Sequence, residues 1–295
     1  VSYNQVSVPK WLRFKDMHPV DYYSTVTKNC SGHFTEEEIR NIRAFYYAMC
    51  AETDGMLGEV MAALRDTGSL NKTVVLFTSD HGDLAMEHRQ FYKMSMFEGS
   101  SHVPLLIMGP GVKSGFEVSL PVSLVDIYPT VLDLAGVPQT GGLSGHSLIP
   151  LISRVSIHSA EPHPAWAFSE YHGCNANTST YMLRIAEWKY IAYADGLNVP
   201  PQLFNLSKDE SELRNIASQF PDVCQDLDKL LRSIVDYPSV SKSVHRYNKQ
   251  QFLEWKQSLG DSYSQVIASL RWHVDWKKDA KSYERDIDEW LLGLD

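Results

Sequence analysis

The longest regular pattern of apolar residues in the chain lies between Thr35 and Gly68. Apolar side chains recur there every three or four residues, which is the spacing of one face of an α-helix. Thr35 and Glu38 stand three residues apart at its start, as in a capping box, and Gly68 follows the last apolar turn. The pattern predicts a long amphipathic helix that packs on a sheet. Its apolar positions are Ile39, Ile42, Tyr46, Met49, Met56, Val60 and Leu64.

Short apolar runs alternate with helical patterns in the first half of the chain. The run at 71–79 is rich in β-branched and aromatic residues, which is typical of a strand covered on both faces of a sheet. Further extended segments are predicted at 103–108 and around 118–125, and Asp126 is expected to cap a short helix that ends at Gly136. Alternation of strand and helix is typical of an α/β layer fold.

The remaining segments divide the chain into parts. Residues 1–34 show no period and are predicted to be a turn-rich surface excursion. Alternating apolar and polar residues predict a small antiparallel sheet over 156–219, and helical patterns dominate 220–295. The prediction is therefore an α/β part over 1–155, a small antiparallel β subdomain and a helical extension.

Composition narrows the class of protein. The chain has 295 residues, of which 43% are hydrophobic, and its net charge of −9 disfavours nucleic-acid binding. No run approaches the roughly 18 to 20 apolar residues of a membrane span. The chain opens without an initiator Met or a signal-peptide pattern, so we expect it to be a piece of a longer protein.

Cysteine and asparagine usage bears on the compartment. The four cysteines lie far apart and form no C-x-x-C pair, which gives no support to a zinc ribbon and leaves one or two disulfides open. Four N-x-S/T sequons predict N-glycosylation and favour the secretory route. These sequons begin at Asn29, Asn71, Asn177 and Asn205.

An acid and an imidazole stand directly after the apolar run at 71–79. Asp80, His81 and Gly82 occupy the point where the backbone leaves the strand, and ligands of open α/β sheets bind outside the carboxyl ends of strands. A carboxylate beside an imidazole can share a cation, and Lys93 can meet an anion as a point charge. Together these residues favour a site for an oxyanion ester. A plain turn, with Asp and Gly chosen for their backbone conformations, is the competing interpretation.

The surrounding sequence resembles the type I sulfatases. The resemblance rests on SDHGDLAMEHRQFYKMSMFEGSSHVPLLIMGPGV, SLVDIYPTVLDLAGV, LSGHSLIPLI and LFNLSKDESELRNIA, which follow one another in that family's order. It covers roughly the first 220 residues. It implies that residues 1–155 are the C-terminal part of a catalytic α/β domain, built on a mixed sheet with flanking helices.

The resemblance implies roles for four residues. Asp80 and His81 match the second pair of Ca²⁺ ligands, although histidine is an unusual ligand for this hard cation. Lys93 matches the lysine that contacts the sulfate group. His18 is implied as a substrate contact that can donate a proton to the leaving alkoxide, with a purely structural role left open. The implied partner is a sulfated glycosaminoglycan or another sulfate ester.

A closer similarity extends over nearly the whole chain, to one lysosomal branch of the family. It rests on MHPVDYYSTVTKNCSG, IRNIRAFYYAMCAETD, MEHRQFYKMSM and SEYHGCNANTSTYMLR. The similarity implies hydrolysis of 2-O-sulfated hexuronate and a lysosomal or secreted location.

The nucleophile that the family uses is not found in this sequence. Sulfatases of this type carry a cysteine in C-x-P-S-R, which the formylglycine-generating enzyme converts, and none of the four cysteines has that context. We therefore expect the chain alone to be inactive and its longer parent to be the enzyme. Two alternatives are a metal-dependent phosphatase or phosphodiesterase of the same superfamily, and a non-catalytic protein that binds sulfated glycans.

Other residues near these motifs are expected to be structural. His88 should orient its loop, and Glu98 should anchor the FEGSSHVP turn rather than act as an acid catalyst. The aromatic and basic tail over 255–290 should pack as helices against the main domain rather than stack on glycans. The remaining structural assignments are His33, His102 and His146.

Overall fold

The computed structural model divides into two compact units, Val1–Leu231 and Arg232–Asp295. No helix in the described part of the chain is both long and apolar enough to cross a bilayer. The predicted boundary after residue 155 falls outside the described residues, so the three-part division stays a prediction. The described residues are 2–139, 141–153, 163–173, 178–194, 196–270 and 279–293.

The segment before the long helix contains a helix of its own. Helix α1 spans Pro19–Thr27, and His18 is its N-cap residue. Proline at the first helical position has a preset φ and lacks an N–H group that would need a partner, so it starts a helix well. The prediction of an aperiodic excursion over 1–34 was wrong here, because nine residues are too few for a clear periodic pattern.

The long helix α2 spans Glu36–Asp66, as predicted, and the capping box between Thr35 and Glu38 is present. Its packing differs from the prediction. Ile39 and Arg43 are buried, whereas the middle of the helix is largely exposed. Of the predicted core face, Met49, Met56 and Val60 are exposed within the described part of the chain.

The predicted strand after the long helix is β1, Val75–Thr78, which pairs antiparallel with β4, Leu105–Met108. None of the four β1 residues is fully buried, so the strand is less covered than predicted. The extended segment expected at 118–125 was wrong. Its end forms a 3-10 turn, Leu124–Asp126, because Ser123 and Asp126 close a capping box.

Short elements connect these strands to the rest of the first unit. Asp126 serves its own turn and makes no side-chain cap to the next helix, contrary to prediction. The short elements are β2 (Leu84–Ala85), β3 (Phe91–Tyr92), α3 (Glu98–Ser101), α4 (Ile127–Leu134) and α5 (Ile149–Ile152).

The predicted antiparallel subdomain is a sheet of four strands in the order β5-β6-β7-β8. The PQLFN segment supplies its fourth strand. Its inner face packs against Leu84, Met96 and Phe97, so this sheet and the Asp80-containing segment share one core. The strands are β5 (Trp166–Tyr171), β6 (Thr180–Ile185), β7 (Trp188–Tyr193) and β8 (Gln202–Asn205).

Helices follow the sheet, as the sequence predicted. Within the second unit, Phe252 packs edge-on against Trp290, and Lys256 lies 3.0 Å from Glu284. These contacts agree with a tail that packs as helices. The helices are α6 (Pro221–Ile234), α7 (Tyr237–Leu259), α8 (Tyr263–Ser269) and α9 (Ala280–Leu292).

Candidate active site

Asp80 and His81 lie just beyond the carboxyl end of β1, where the sequence predicted them. The Asp80 side chain is 83% exposed, and its Oδ2 lies 3.4 Å from Nε2 of the 39% exposed His81. Asp80 Oδ1 accepts the His81 backbone N–H at 3.0 Å. Desolvation is the largest single influence and raises the pKa of Asp80, but the hydrogen bond from His81 N–H, the His81 ring and further local hydrogen bonds together hold it below its usual range. The carboxylate is therefore ionised and turned towards solvent.

The backbone after these two residues is clamped onto α3. Gly82 N–H donates to Ser100 O at 2.8 Å, and Ser79 Oγ donates to His81 O at 2.7 Å. A Cβ on Gly82 would lie 2.2 Å from Gly99 O, so only glycine fits. The clamp fixes where the strand end delivers Asp80 and His81.

Replacing Gly82 with alanine is expected to lower the free energy of unfolding by about 1 to 3 kcal/mol, because the Cβ must displace the α3 backbone. Urea unfolding measures this. Gly55→Ala in α2 is the matched control, since a Cβ there meets nothing within 4 Å. Equal effects of the two substitutions would contradict the clamp.

Lys93 follows a strained segment that presents it to solvent. Four residues just before it have positive φ, namely Met86 (74°), His88 (51°), Arg89 (55°) and Tyr92 (70°). Non-glycine residues adopt this region at a cost, and such strain clusters at functional sites. Lys93 directly follows Tyr92, the last of these residues, and is exposed.

Contacts from several elements hold the strained segment. Trp11 Nε1 donates to Met86 O at 2.6 Å, and the Arg89 guanidinium lies 4.3 Å from the Trp11 ring. The His88 ring stacks on Phe97 with centroids 3.5 Å apart. Burial, with the nearby positive charge of Lys189, lowers the pKa of His88 to about 3. His88 therefore packs as a neutral ring, which agrees with its predicted structural role.

His18 uses both ring nitrogens within the chain. Nδ1 accepts the Val20 N–H at 3.3 Å, so Nε2 carries the proton and donates to Pro200 O at 2.9 Å. The ring stacks on Tyr193 with centroids 4.9 Å apart. Burial lowers the pKa of His18, and the Pro200 bond offsets this only in part. Its role as a proton donor stays a prediction.

A small cavity of about 20 Å³ is lined by α1, the segment 94–97 and the four-stranded sheet, including Tyr193, on which His18 stacks. Gln202 Nε2 donates to Asp21 Oδ2 at 2.9 Å, and Tyr193 Oη donates to Gln202 Oε1. Burial raises the pKa of Asp21 to about 7, the negative charge of Glu212 adds to this, and Gln202 offsets part of it. Sequence patterns did not single out this network.

The buried Asp21 predicts a specific dependence of stability on pH. Its pKa is near 3.8 when unfolded and about 7 when folded, so its favourable contribution is complete below about pH 4 and is lost as the pH rises to 7. At pH 8 the free energy of unfolding of Asp21→Asn should therefore exceed that of the wild type by as much as about 4 kcal/mol, as measured by urea unfolding. At pH 4 the two proteins should be about equally stable. The same difference in stability between variant and wild type at pH 4 and at pH 8 would contradict this.

The described residues offer part of a cation site. Ca²⁺ takes six to eight oxygen ligands, and the outward, ionised carboxylate of Asp80 suits it, with His81 beside it as a second donor. Among the described residues there is no group of three or more His, Cys, Asp or Glu side chains that could hold a metal. The chain thus fits a cation from one side, with two donors.

A buried charge cluster escaped the sequence analysis. Lys189 of β7 is fully buried, and its Nζ lies 2.5 Å from Glu98 Oε1 and 2.8 Å from Glu212 Oε1. Glu98 also lies 2.7 Å from His102 Nδ1, so it anchors its turn as predicted. A lysine between the aromatic residues of WKYIAY is the signal that was overlooked, because a charge inside a buried strand needs a partner.

A second buried pair ties the α4 region to the start of the sheet. Asp126 Oδ2 lies 3.0 Å from His163 Nε2, and Asp126 also accepts backbone N–H groups from Ser123 and His146. The ring of His146 packs edge-on to His163, in agreement with its predicted structural role.

The described residues place Lys93 downstream of the strand-end Asp80 and His81 on an α/β layer, which is the arrangement that the sulfatase resemblance implies. The sulfatase family model matches residues 11–137, and the model described as N-sulphoglucosamine sulphohydrolase, C-terminal, matches residues 86–236. The chain belongs to the sulfatase family. The resemblance inferred from the sequence is thereby confirmed.

Several curated relatives that align with almost the whole chain share one name. Arylsulfatase K from Bos taurus is 63% identical over 294 residues, which are 99% of this chain and 54% of that protein. Arylsulfatase K from Homo sapiens is 60% identical over 99% of this chain and 55% of its own length. The branch of the family that the sequence resembles is that of arylsulfatase K, and this similarity is confirmed. The chain spans about half the length of these curated relatives.

Solved structures agree with the fold. A phosphonate monoester hydrolase from Silicibacter pomeroyi has a TM-score of 0.66 at 26% identity, over 81% of this chain and 51% of its own. A 2-O GAG sulfatase has a TM-score of 0.66 at 25% identity, over 82% of this chain and 54% of its own. The predicted α/β sulfatase fold class, with its small antiparallel sheet and helical tail, is confirmed.

Proposed function

We propose that this chain forms part of a calcium-dependent sulfatase that hydrolyses sulfate esters, with 2-O-sulfated hexuronate in glycosaminoglycans as the substrate. The observation that carries the proposal is the identity of 60% or more to arylsulfatase K over 99% of the chain. The structural likeness to a 2-O GAG sulfatase supports the position of the sulfate on the sugar.

The chain's own residues have distinct parts in this proposal. Asp80 and His81 would hold a Ca²⁺ ion from one side, and the bound cation would supply positive charge that stabilises the anionic sulfate. Lys93 places its ammonium group against the same anion and offsets the charge that develops on the leaving sugar oxygen. His18 donates its Nε2 proton to that oxygen once the ring releases Pro200 O.

The proposal extends to processing and location. None of the four cysteines lies in C-x-P-S-R, so we propose that the 295 residues alone do not turn over sulfate esters. The form that carries that motif is the substrate of the formylglycine-generating enzyme. Lysosomal or secreted location is proposed from the family branch and the sequons.

The sequons differ in their surroundings. Asn29 and Asn71 are exposed, whereas Asn205 is 7% exposed at the end of β8, where its Oδ1 accepts the Ser207 hydroxyl at 2.7 Å. Asn177 lies outside the described residues. Glycosylation is therefore proposed first at Asn29 and Asn71.

A second candidate is hydrolysis of phosphate or phosphonate esters by the same half-site. The phosphonate monoester hydrolase likeness favours it, because phosphonate and sulfate monoesters present similar tetrahedral oxyanions. The two candidates differ in the anion and in the metal that supports turnover.

One assay separates the candidates. The C-x-P-S-R form is offered a 2-O-sulfated hexuronate and its 2-O-phosphorylated analogue, each with Ca²⁺ or Zn²⁺. We expect turnover of the sulfate ester with Ca²⁺ and none by the 295-residue chain. Preferential turnover of the phosphate ester with Zn²⁺ would support the second candidate, and turnover by the 295-residue chain would refute the division of the site.

A further inference from the structure

The strand-end residues Asp80 and His81 are held through α3 rather than by their own contacts alone. Gly82 N–H donates to Ser100 O, and the backbone of Gly82 packs against Gly99 O so closely that a Cβ would lie 2.2 Å away. Gly99 is packed in turn, since a Cβ there would lie 3.0 Å from Leu84 Cδ2. Any shift of the single turn of α3 therefore moves the strand-end loop.

The buried charge cluster holds α3 from its other side. Glu212 Oε2 accepts the Glu98 backbone N–H at 2.7 Å, which fixes the first residue of the turn. Lys189 Nζ donates to Met96 O at 2.9 Å, and it pairs with the carboxylates of Glu98 and Glu212. One cation thus holds both the backbone before α3 and the side chain at its start.

Two of the three charged side chains in this cluster are almost completely buried. The side chains of Lys189 and Glu212 are 0% and 2% exposed, so each charge depends on its partners for stabilisation. Burial opposes ionisation of Glu98, but its bonds to His102 and Lys189 outweigh this effect and lower its pKa to about 2. Burial raises the pKa of Glu212 while Lys189 lowers it, so the buried groups stabilise one another only while they stay in contact, and this favours one position of α3.

We propose that Lys189 and Glu212, which lie outside the strand-end site, are positioning residues that fix Asp80 and His81 through α3 and Gly82. The inference rests on the proposed function in so far as those two residues bind the cation. It assigns the small antiparallel sheet, which carries Lys189, a part in the geometry of the half-site as well as in the core.

The first test needs no metal. Hydrogen exchange at Gly82 N–H reports the clamp directly, and we expect Lys189→Met to speed it at least tenfold. Lys28→Met is the matched control, because Lys28 is also buried and its Nζ donates to Gln90 Oε1 at 3.0 Å, a residue outside α3. Exchange at Gly82 within twofold of the wild type in Lys189→Met, or an equal rise in Lys28→Met, would overturn the inference.

A second variant guards against simple unfolding. Lys189→Met combined with Glu212→Gln removes one charge of each sign, and the Glu98 carboxylate that remains is partly exposed and keeps His102. We expect faster exchange at Gly82 in this variant also, with a folded β6-β7 pair as judged by protected amides there. A normal rate at Gly82 in that folded variant would equally overturn the inference.

The second readout connects the clamp to the cation. Titration with CaCl₂, followed through the His81 ring signals, should give a Kd at least threefold weaker in Lys189→Met than in the wild type or Lys28→Met. An unchanged Kd would overturn the link between the cluster and the site. The titration uses the C-x-P-S-R form, so no response in its wild type would refute the proposed calcium ligands, and the exchange at Gly82 would still decide whether the cluster holds the loop.

Discussion

Replacing Lys93 with methionine is expected to lower kcat/KM for the sulfate ester by about 100- to 1000-fold in the C-x-P-S-R form of the protein. The ammonium group is exposed in the structure and follows a segment of strained backbone, and the proposed function places it against the sulfate group. Methionine keeps much of the length of the side chain and removes its charge. The loss should fall mainly on kcat, because the charge on the leaving oxygen grows towards the transition state.

Lys72→Met is the control for this experiment. Lys72 is also exposed, but it stands before β1, whereas Asp80 follows the strand. The same change in net charge there should leave kcat/KM within about twofold of the wild type, because exposed charges beyond a Debye length are screened. Equal losses in both variants would mean that Lys93 acts only through the overall charge of the protein.

The 295-residue chain is expected to self-associate in solution through one face of α2. Phe45, Met49, Met56 and Val60 are 74%, 61%, 58% and 54% exposed. At 100° per residue they lie within roughly 60° of one another around the helix, so they form one apolar stripe. Sedimentation velocity should show oligomers at tens of micromolar.

Changing all four residues of this stripe to glutamine should return the chain to a monomer at the same concentration. The effect should be large, because the substitutions remove most of the apolar area that drives association. The control is Asp54→Gln with Arg65→Gln, which lie on the opposite side of the helix and should leave association unchanged. A wild-type chain that sediments as a monomer would contradict the account.

The sequence predicted the elements whose patterns are long or repeated. The period of α2 extends over many turns and its capping box is local, so its start at Glu36 is confirmed. The sheet β5–β8 shows strand alternation that recurs at short intervals, and it is confirmed also. Asp80 and His81 were placed at a strand end because a change from apolar to polar residues marks that point.

The features that were missed depend on contacts between distant residues. Helix α1 is only nine residues long, and the segment 118–125 is extended in composition but is turned by the Ser123–Asp126 box. The partners of Lys189 are 91 and 23 residues away, at Glu98 and Glu212, and no local pattern connects them. The exposure of the α2 stripe likewise depends on which residues pack against it, and the periodicity of the sequence gives no information about those contacts.

The calcium dependence of sulfate-ester hydrolysis, with and without the Asp80 carboxylate, decides whether Asp80 binds the cation of a sulfatase site. The wild-type C-x-P-S-R form, stripped of metal, should regain turnover of the 2-O-sulfated hexuronate as Ca²⁺ is added. Asp80→Asn should need a much higher Ca²⁺ concentration, because a neutral amide binds a hard cation more weakly than a carboxylate. Identical calcium curves for the two proteins would contradict the assignment of Asp80 to the site.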